Sequence, residues 1–235
     1  MELKSADLDS ITFKRPKNPT SINIPGPNVT DIDGNVYASV TNCGQTWTKQ
    51  NLNVSRYSDG TPIPQVQNPT EWAGLTTGFW CYYANNTANG PVYGKLYNWY
   101  AVAGIFNAAS AVNPALRKKL APTGWHVPSD GEWTQLTTCL GGESVAGGKM
   151  KSTGTSLWLS PNTLATNESG FTGLPGGYRF YDGSFADFGV NGIWWSSSEY
   201  FTSIAWFRFL NYNNGNATRS NDNKGNGFSV RCLKD

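Results

Sequence analysis

An α+β fold is predicted by three features of the chain. Short alternating apolar runs bounded by Gly, Pro, Asn and Asp recur over residues 31–54 and again over residues 171–232, the pattern of small sheets joined by tight turns. Two amphipathic stretches, residues 93–102 and 129–140, lie between them and carry a helical spacing. The 26 Gly and 13 Pro shorten the elements and multiply the turns. The order is therefore strands, two helices, then a strand-rich second half. A chain of 235 residues can hold this as one domain, here 31–235, preceded by an arm at 1–30.

In the arm, residues 9–14 alternate, and Pro16, Pro19, Pro25 and Pro27 favour an extended course along a partner or scaffold. The domain opens with Asp33-Gly34, a hairpin signal, followed by strands at Val36-Tyr37-Ala38-Ser39-Val40 and Gln45-Thr46-Trp47. Trp72 and Trp80 read as buried. The first helix is predicted over 93–102, where Tyr93, Leu96, Tyr97, Tyr100 and Ala101 form one stripe. The second has a capping box, Ser129 with Glu132, a buried stripe of Trp133, Leu136, Thr137 and Leu140, and a Gly141-Gly142 stop. From Lys149 onward only short strands and polar loops are expected, with a hairpin tip at Asp182-Gly183. The C-terminal stretch begins with a strand, Ile193-Trp194-Trp195, and a turn, Ser196-Ser197-Ser198. A strand over 204–212, an Asn-rich segment and a closing strand over 228–232 follow. Seven of the sixteen residues from 211 to 226 are Asn, a composition suited to an adaptable polar surface.

Composition narrows the function classes. Charged residues make up 14% of the chain, against roughly 25% in ordinary soluble domains. With a net charge of +2 and no basic stripe interleaved with aromatics, nucleic-acid binding has no support. No apolar run approaches the roughly 18 residues of a membrane span, so membrane insertion is not expected. Residues 1–28 lack the apolar centre of a signal peptide. Either a leader was removed ahead of them, or export takes another route, for instance within a particle. Cys43, Cys81, Cys139 and Cys232 form no C-x-x-C unit and stand with a single His, which argues against a zinc site. Two disulfides in any of three connectivities, or four thiols after cytoplasmic assembly, fit the spacing.

Seven segments in order then carry a family resemblance: Asp31-Ile32-Asp33-Gly34-Asn35-Val36-Tyr37, Gln50-Asn51-Leu52-Asn53, Tyr93-Gly94-Lys95-Leu96-Tyr97-Asn98-Trp99-Tyr100, Gly124-Trp125-His126-Val127-Pro128-Ser129-Asp130-Gly131-Glu132-Trp133, Leu174-Pro175-Gly176-Gly177-Tyr178-Arg179, Trp194-Trp195-Ser196-Ser197-Ser198-Glu199-Tyr200 and Gly227-Phe228-Ser229-Val230-Arg231-Cys232. Together they resemble the Fibrobacter succinogenes major paralogous domain. The resemblance implies a C-type-lectin-like fold, with two helices flanking small antiparallel sheets and the N- and C-terminal strands paired. That architecture also occurs in formylglycine-generating enzymes and in the variable proteins of diversity-generating retroelements. The C-terminus resembles the diversified ligand-binding segment of the latter. Many members carry a Cys before the Pro-Thr-Gly-Trp-His string that could partner the late one; Ala121 stands there instead, which leaves Cys232 without that partner. The strings of calcium-dependent sugar sites are absent, and after Cys139 only Cys232 remains, so neither a calcium lectin site nor the formylglycine-generating chemistry carries over.

No catalytic set emerges from the residues, and no cofactor is expected. His126 reads as a satisfied structural His beside a helix cap, and no Gly-x-Ser-x-Gly elbow or phosphate loop is present. Glu132, Glu168 and Glu199 could pair for glycoside hydrolysis, but Glu132 is a cap and Glu199 sits in a family segment. Period-two alternation over 204–212 places Ile204, Trp206, Arg208, Leu210 and Tyr212 on one face and Ala205, Phe207, Phe209 and Asn211 on the other. The resemblance assigns Trp206 and Leu210 to the scaffold, so Phe207 and Phe209 are expected to point outward. Rimmed by Tyr200, Phe201, Asn211, Asn213, Asn216, Arg219, Asn221 and Asn223, they would form a face of aromatic anchors and polar contacts. The expected function is a non-enzymatic adhesin or receptor-binding module for a protein or glycan, shown on a cell surface or on a phage or contractile-tail particle. Alternatives are an assembly subunit using this face between neighbours, a homo-oligomer included, and, less favoured, a carboxylate hydrolase.

Overall fold

The computed structural model describes residues 20–235. In chain order its elements are β1 (Ile24–Thr30), β2 (Val36–Asn42), β3 (Gln45–Thr48), α1 (Pro69–Gly74), β4 (Trp80–Cys81), α2 (Gly90–Tyr93), β5 (Leu96–Tyr97), α3 (Trp99–Val102), α4 (Ala108–Val112) and β6 (Trp125–His126). The second half holds α5 (Asp130–Cys139), α6 (Glu143–Met150), β7 (Gly176–Arg179), β8 (Phe185–Phe188), β9 (Asn191–Phe201), β10 (Ile204–Asn211), β11 (Ala217–Asn223) and β12 (Leu233–Lys234). The fold is mixed α+β with small antiparallel sheets. A five-stranded sheet runs β1-β2-β3-β12-β6, a three-stranded sheet runs β11-β10-β9, and β4-β5 and β7-β8 form two-stranded ribbons.

The three-stranded sheet separates two cores. Its Ile193, Trp195, Ala205 and Phe207 join a cluster with Tyr97, Trp99, Trp125 and Phe228. From its other side Trp194, Leu210 and Ala217 join Trp47, Trp133, Leu136, Met150 and Phe171, so α5 and α6 cover that face. Sequence-distant family segments are tied together at one buried side chain. The Asn51 amide donates to Tyr93 O (2.8 Å) and Ser229 Oγ (3.2 Å), while its Oδ1 accepts from Trp194 Nε1 (2.8 Å) and Arg231 Nε (2.7 Å). The Arg231 guanidinium also donates to the carbonyls of Thr48, Phe171 and Thr172. Four of the seven segments therefore meet at Asn51, and their residue types answer to one hydrogen-bond network.

Helix α5 forms as the capping box predicts: Ser129 Oγ accepts from Glu132 N (3.3 Å) and Ser129 N donates to Glu132 Oε2 (2.7 Å). Trp133, Leu136, Thr137 and Leu140 are buried. The helix expected over 93–102 is instead three pieces. Gly94, at φ 71°, ends α2; Leu96 and Tyr97 pair with Cys81 and Trp80; and the Asn98 side chain caps α3 through Ala101 N. The 93–102 stripe is apolar because most of this segment is buried, and burial from several sides imitates a helical period.

Other expectations are corrected. Within the stretch expected as an arm, Ile24–Thr30 forms β1, paired with β2 inside the main sheet, and residues 1–19, the alternating 9–14 among them, lie outside the described residues. The first and last strands share a sheet without pairing; β12 lies between β3 and β6. Ser196-Ser197-Ser198 does not reverse the chain. Those residues bulge within β9, where Phe207 faces Trp195 and Ala205 faces Glu199. Residues 228–232 are not a strand; Phe228 and Ser229 make isolated bridges to Tyr97 and Trp194, and the closing strand is β12. Helix α6 was not expected, because Gly147-Gly148 weakens a helical reading. Gly147 is required by packing, since a Cβ there would stand 2.0 Å from Asn216 O. The Asn-rich segment contains β11, a strand imposed by pairing with β10 along its whole length.

Cys43 and Cys139 form a disulfide, Cα atoms 6.3 Å apart, joining the β2–β3 turn to the end of α5. One disulfide and two thiols replace both the two-disulfide and the four-thiol alternatives. Cys81 and Cys232 are buried thiols, and Cys232 packs in the same cluster as Ala121. No helix among the described residues is long and apolar enough to cross a membrane.

Candidate ligand-binding site

The ten residues predicted for the binding face do not come together as one surface. They divide along β10, whose rise of roughly 3.3 Å per residue puts about 20 Å between its ends. Tyr200 and Phe201 stand at the β9–β10 tip and are exposed, Phe201 at 65%. Asn211, Asn213 and Asn216 lie at the opposite end, where the Asn side chains organise the β10–β11 turn: Asn211 Oδ1 accepts from Asn213 N and Asn214 Oδ1 from Asn216 N. Asn221 and Asn223 sit on β11, opposite Trp206 and Ile204.

The expected outward orientation of Phe207 is wrong. Phe207 is 7% exposed, with its ring centroid 5.0 Å from Phe228 and 6.2 Å from Trp195. The alternation itself holds, but both faces of this sheet are covered, one by α5 and α6 and the other by the aromatic core. Phe209 is half-buried on the same face.

Trp206, assigned in advance to the scaffold, belongs with the exposed tip. The Arg219 guanidinium lies 3.3 Å from its ring centroid, and Tyr200 packs against it edge-on at 4.6 Å. Arg219 is fixed in turn by Asp130 at the start of α5, through Nε to both carboxylate oxygens and Nη2 to Oδ2 (2.8 Å). The buried Arg208 binds Asp130 as well (2.7 Å). Burial works against ionised Asp130, but its bonds to Arg219 and Arg208 outweigh that and hold its pKa below the usual carboxylate value. The tip is also anchored from beneath. Lys224 is 3% exposed, and its Nζ donates to Thr202 O (2.7 Å) and Glu199 Oε1 over the Trp99 ring. The result is a hairpin end tied down by ion pairs, with the Trp206 ring between Arg219 and Tyr200.

Behind the tip, on the Phe207 face, a cavity of about 160 Å³ opens between the sheet and the β7–β8 ribbon. Ile193, Phe207, Phe209, Phe228 and Tyr178 form its apolar lining. Asp187, Asp222 and Asn191 supply the polar groups. Burial and the charges of Asp187 and Asp222 push the Tyr178 phenol up to about 12, so it stays protonated at neutral pH. Asp187 holds φ 61°, a left-handed conformation that Asp tolerates better than most residues. Sequence reasoning passed over Tyr178, Asp187, Asn191 and Asp222. The one available signal was the Asp182-Gly183 tip, which folds Arg179 against Phe185 and Tyr178 against Ala186 and so carries Asp187 alongside. A larger cavity of about 270 Å³ is lined by Lys118 and His126, which are already bound to Asp59 and to two carboxylates.

The candidate catalytic groups hold structural partners. His126 Nδ1 meets Asp235 (2.6 Å) and Nε2 meets Glu132 (3.0 Å), while Glu132 also caps α5. Glu168 pairs with Lys149 and Glu199 with Lys224. Among the described residues no group of three or more His, Cys, Asp or Glu could hold a metal ion.

Comparison with known families gives one match: the family described as Fibrobacter succinogenes major domain, over residues 40–234. No curated protein and no solved structure matches.

Proposed function

The chain belongs to the Fibrobacter succinogenes major domain family, and from that premise we propose that it is a non-enzymatic, surface-displayed binding module that recognises a protein through the β9–β10 tip. The fold we assign is C-type-lectin-like, with the β9–β11 sheet as its ligand-bearing part. The observation that carries the reading is the tip: Tyr200 and Phe201 are exposed at 44% and 65% beside Trp206, on a hairpin pinned by Lys224 and by the Arg219–Asp130 pair. Rigid aromatic anchors lose little conformational entropy on binding and dominate protein interfaces. Display outside the cytoplasm is supported by the Cys43–Cys139 disulfide, since such bonds persist in oxidising surroundings. The commitment of His126, Glu132, Glu168 and Glu199 to structural partners supports binding over catalysis.

Labelled protein should be retained on intact cells from a panel of bacterial and eukaryotic sources, with a glycan array run alongside. The expected result is retention that protease treatment of the cells removes and that Tyr200→Ala with Phe201→Ala abolishes, at an unchanged melting temperature. Retention equal for wild type and variant, or absent for both, overturns the reading. Retention on glycans alone replaces the protein ligand by a sugar. If the substitutions instead abolish self-association in sedimentation, the assembly-subunit reading takes its place; the β11 edge, paired among the described residues only with β10, favours it.

A further inference from the structure

We propose that the cavity between β7–β8 and β9–β11 is a receptor for one lysine side chain of the partner protein, held between Asp187 and Asp222 over the Phe207 and Phe209 rings. This deepens the reading of the tip as a protein-binding surface and rests on it. Three observations point to a primary ammonium. First, Asp187 and Asp222 line one cavity, and among the described residues neither forms a salt bridge. Among the described residues each keeps one carboxylate oxygen free: Asp187 Oδ2 accepts from the Asn191 amide (2.6 Å) and Asp222 Oδ1 from Asn223 N (2.7 Å), leaving Asp187 Oδ1 and Asp222 Oδ2 as acceptors for a ligand.

Second, the remaining lining is aromatic. Phe207 and Phe209 lie 6.1 Å apart, Phe207 and Phe228 5.0 Å, and Tyr178 and Phe228 5.8 Å, giving π-faces and edges around a small space. A cation entering such a space gains cation–π attraction as well as the two carboxylates, while a neutral apolar group would leave both carboxylates unpaired. Third, the volume of about 160 Å³ falls below the roughly 300–1,000 Å³ of pockets that hold whole small molecules, so it suits a single side chain. The compact three-donor ammonium of Lys matches two separate carboxylates; the planar fork of Arg matches one carboxylate taken bidentately.

The test uses Nα-acetyl-lysine methylamide as probe, followed by amide NMR shifts of the whole protein. Saturable shifts centred on Ile193, Phe207, Phe209 and Asp222 are expected, with Kd on the order of millimolar for so small a fragment. Asp187→Asn and Asp222→Asn, tested separately with melting temperature as the folding control, should each weaken binding about tenfold, the loss of one charge-assisted hydrogen bond. The Nε-acetylated probe should not bind. Absence of saturable shifts, equal binding of the acetylated probe, or tighter binding of the arginine analogue overturns the proposal. Its failure is separable from failure of the tip: cell retention lost with Tyr200→Ala and Phe201→Ala but indifferent to the Asp variants keeps the module and removes the lysine receptor.

Discussion

Around Asn51 and around Trp206 the same three-stranded sheet brings aromatic rings and guanidinium groups together, with opposite outcomes for solvent. At Asn51 the rings and charges are closed off: Trp194 and Arg231 have no exposed surface, and every donor of Arg231 named above meets a carbonyl or amide oxygen. At Trp206 the Arg219 side chain is 37% exposed, its charge is met by Asp130, and the rings of Tyr200 and Phe201 face outward. The difference teaches how a recurring frame can carry a changeable face. Around Asn51 the polar groups are satisfied inward by residues from distant segments, so removing Asn51 leaves buried groups unpaired. The face is held by a few pairs at its base, and its outer rings, Tyr200 and Phe201, pack against each other and, for Tyr200, against Trp206.

The sharpest break of this contrast is Asn51→Ala. It strands Trp194 Nε1, one donor of a buried guanidinium and the Tyr93 carbonyl together, and each buried polar group left unmade costs about 1–3 kcal/mol. A loss of roughly 3–5 kcal/mol in denaturant unfolding is expected. A loss below about 1 kcal/mol would mean that water replaces Asn51 and that the network does not hold the frame together.

Phe207 and Phe209 divide the contrast within a single strand. Phe207→Ala should cost roughly 3–5 kcal/mol, as for a fully buried ring. Phe209→Ala should cost roughly 1–2 kcal/mol, because its ring is only half-buried. The two are two residues apart on the same face of β10, so a difference in unfolding free energy between the variants reports the depth of the cavity floor. Equal losses would place both rings on one side of the boundary.

How far the sequence could see follows the range of the interactions involved. The α5 cap, the Asp33-Gly34 turn and the Asp182-Gly183 tip were legible because each is decided within a few neighbouring residues. The alternation of β10 was legible too, but not which face is covered, since that depends on α5, α6 and Phe228 arriving from elsewhere. Residues 93–102 misled because a stripe spaced like a helix was produced by burial from several directions. β11 was hidden by composition: Asn and Asp disfavour strands, and the pairing with β10 overrides them. The cavity was out of reach, because Tyr178 and Asp187 come from a ribbon whose docking beside Asp222 no local pattern encodes. Trp206 was missed for the converse reason, a scaffold role inferred from resemblance.

The smallest expected effect concerns a joint between the regions, His126, whose imidazole ties β6 to α5 and to Asp235. Partial burial disfavours the imidazolium, but the hydrogen bonds and charges of Asp235 and Glu132 outweigh it and raise the pKa above 6.5. A group whose pKa is raised on folding stabilises fully below the unfolded value and loses that contribution as pH climbs through the folded one. Stability should therefore fall as pH rises from about 6 towards 8, and His126→Gln should flatten that slope. The side chain is 38% exposed, so solvent screening keeps the effect well below those of Asn51 and Phe207. Denaturant midpoints of both proteins across this range decide it: parallel curves would show that the imidazole stays neutral between its two carboxylates, and a steeper fall in wild type that it carries the charge linking frame to helix.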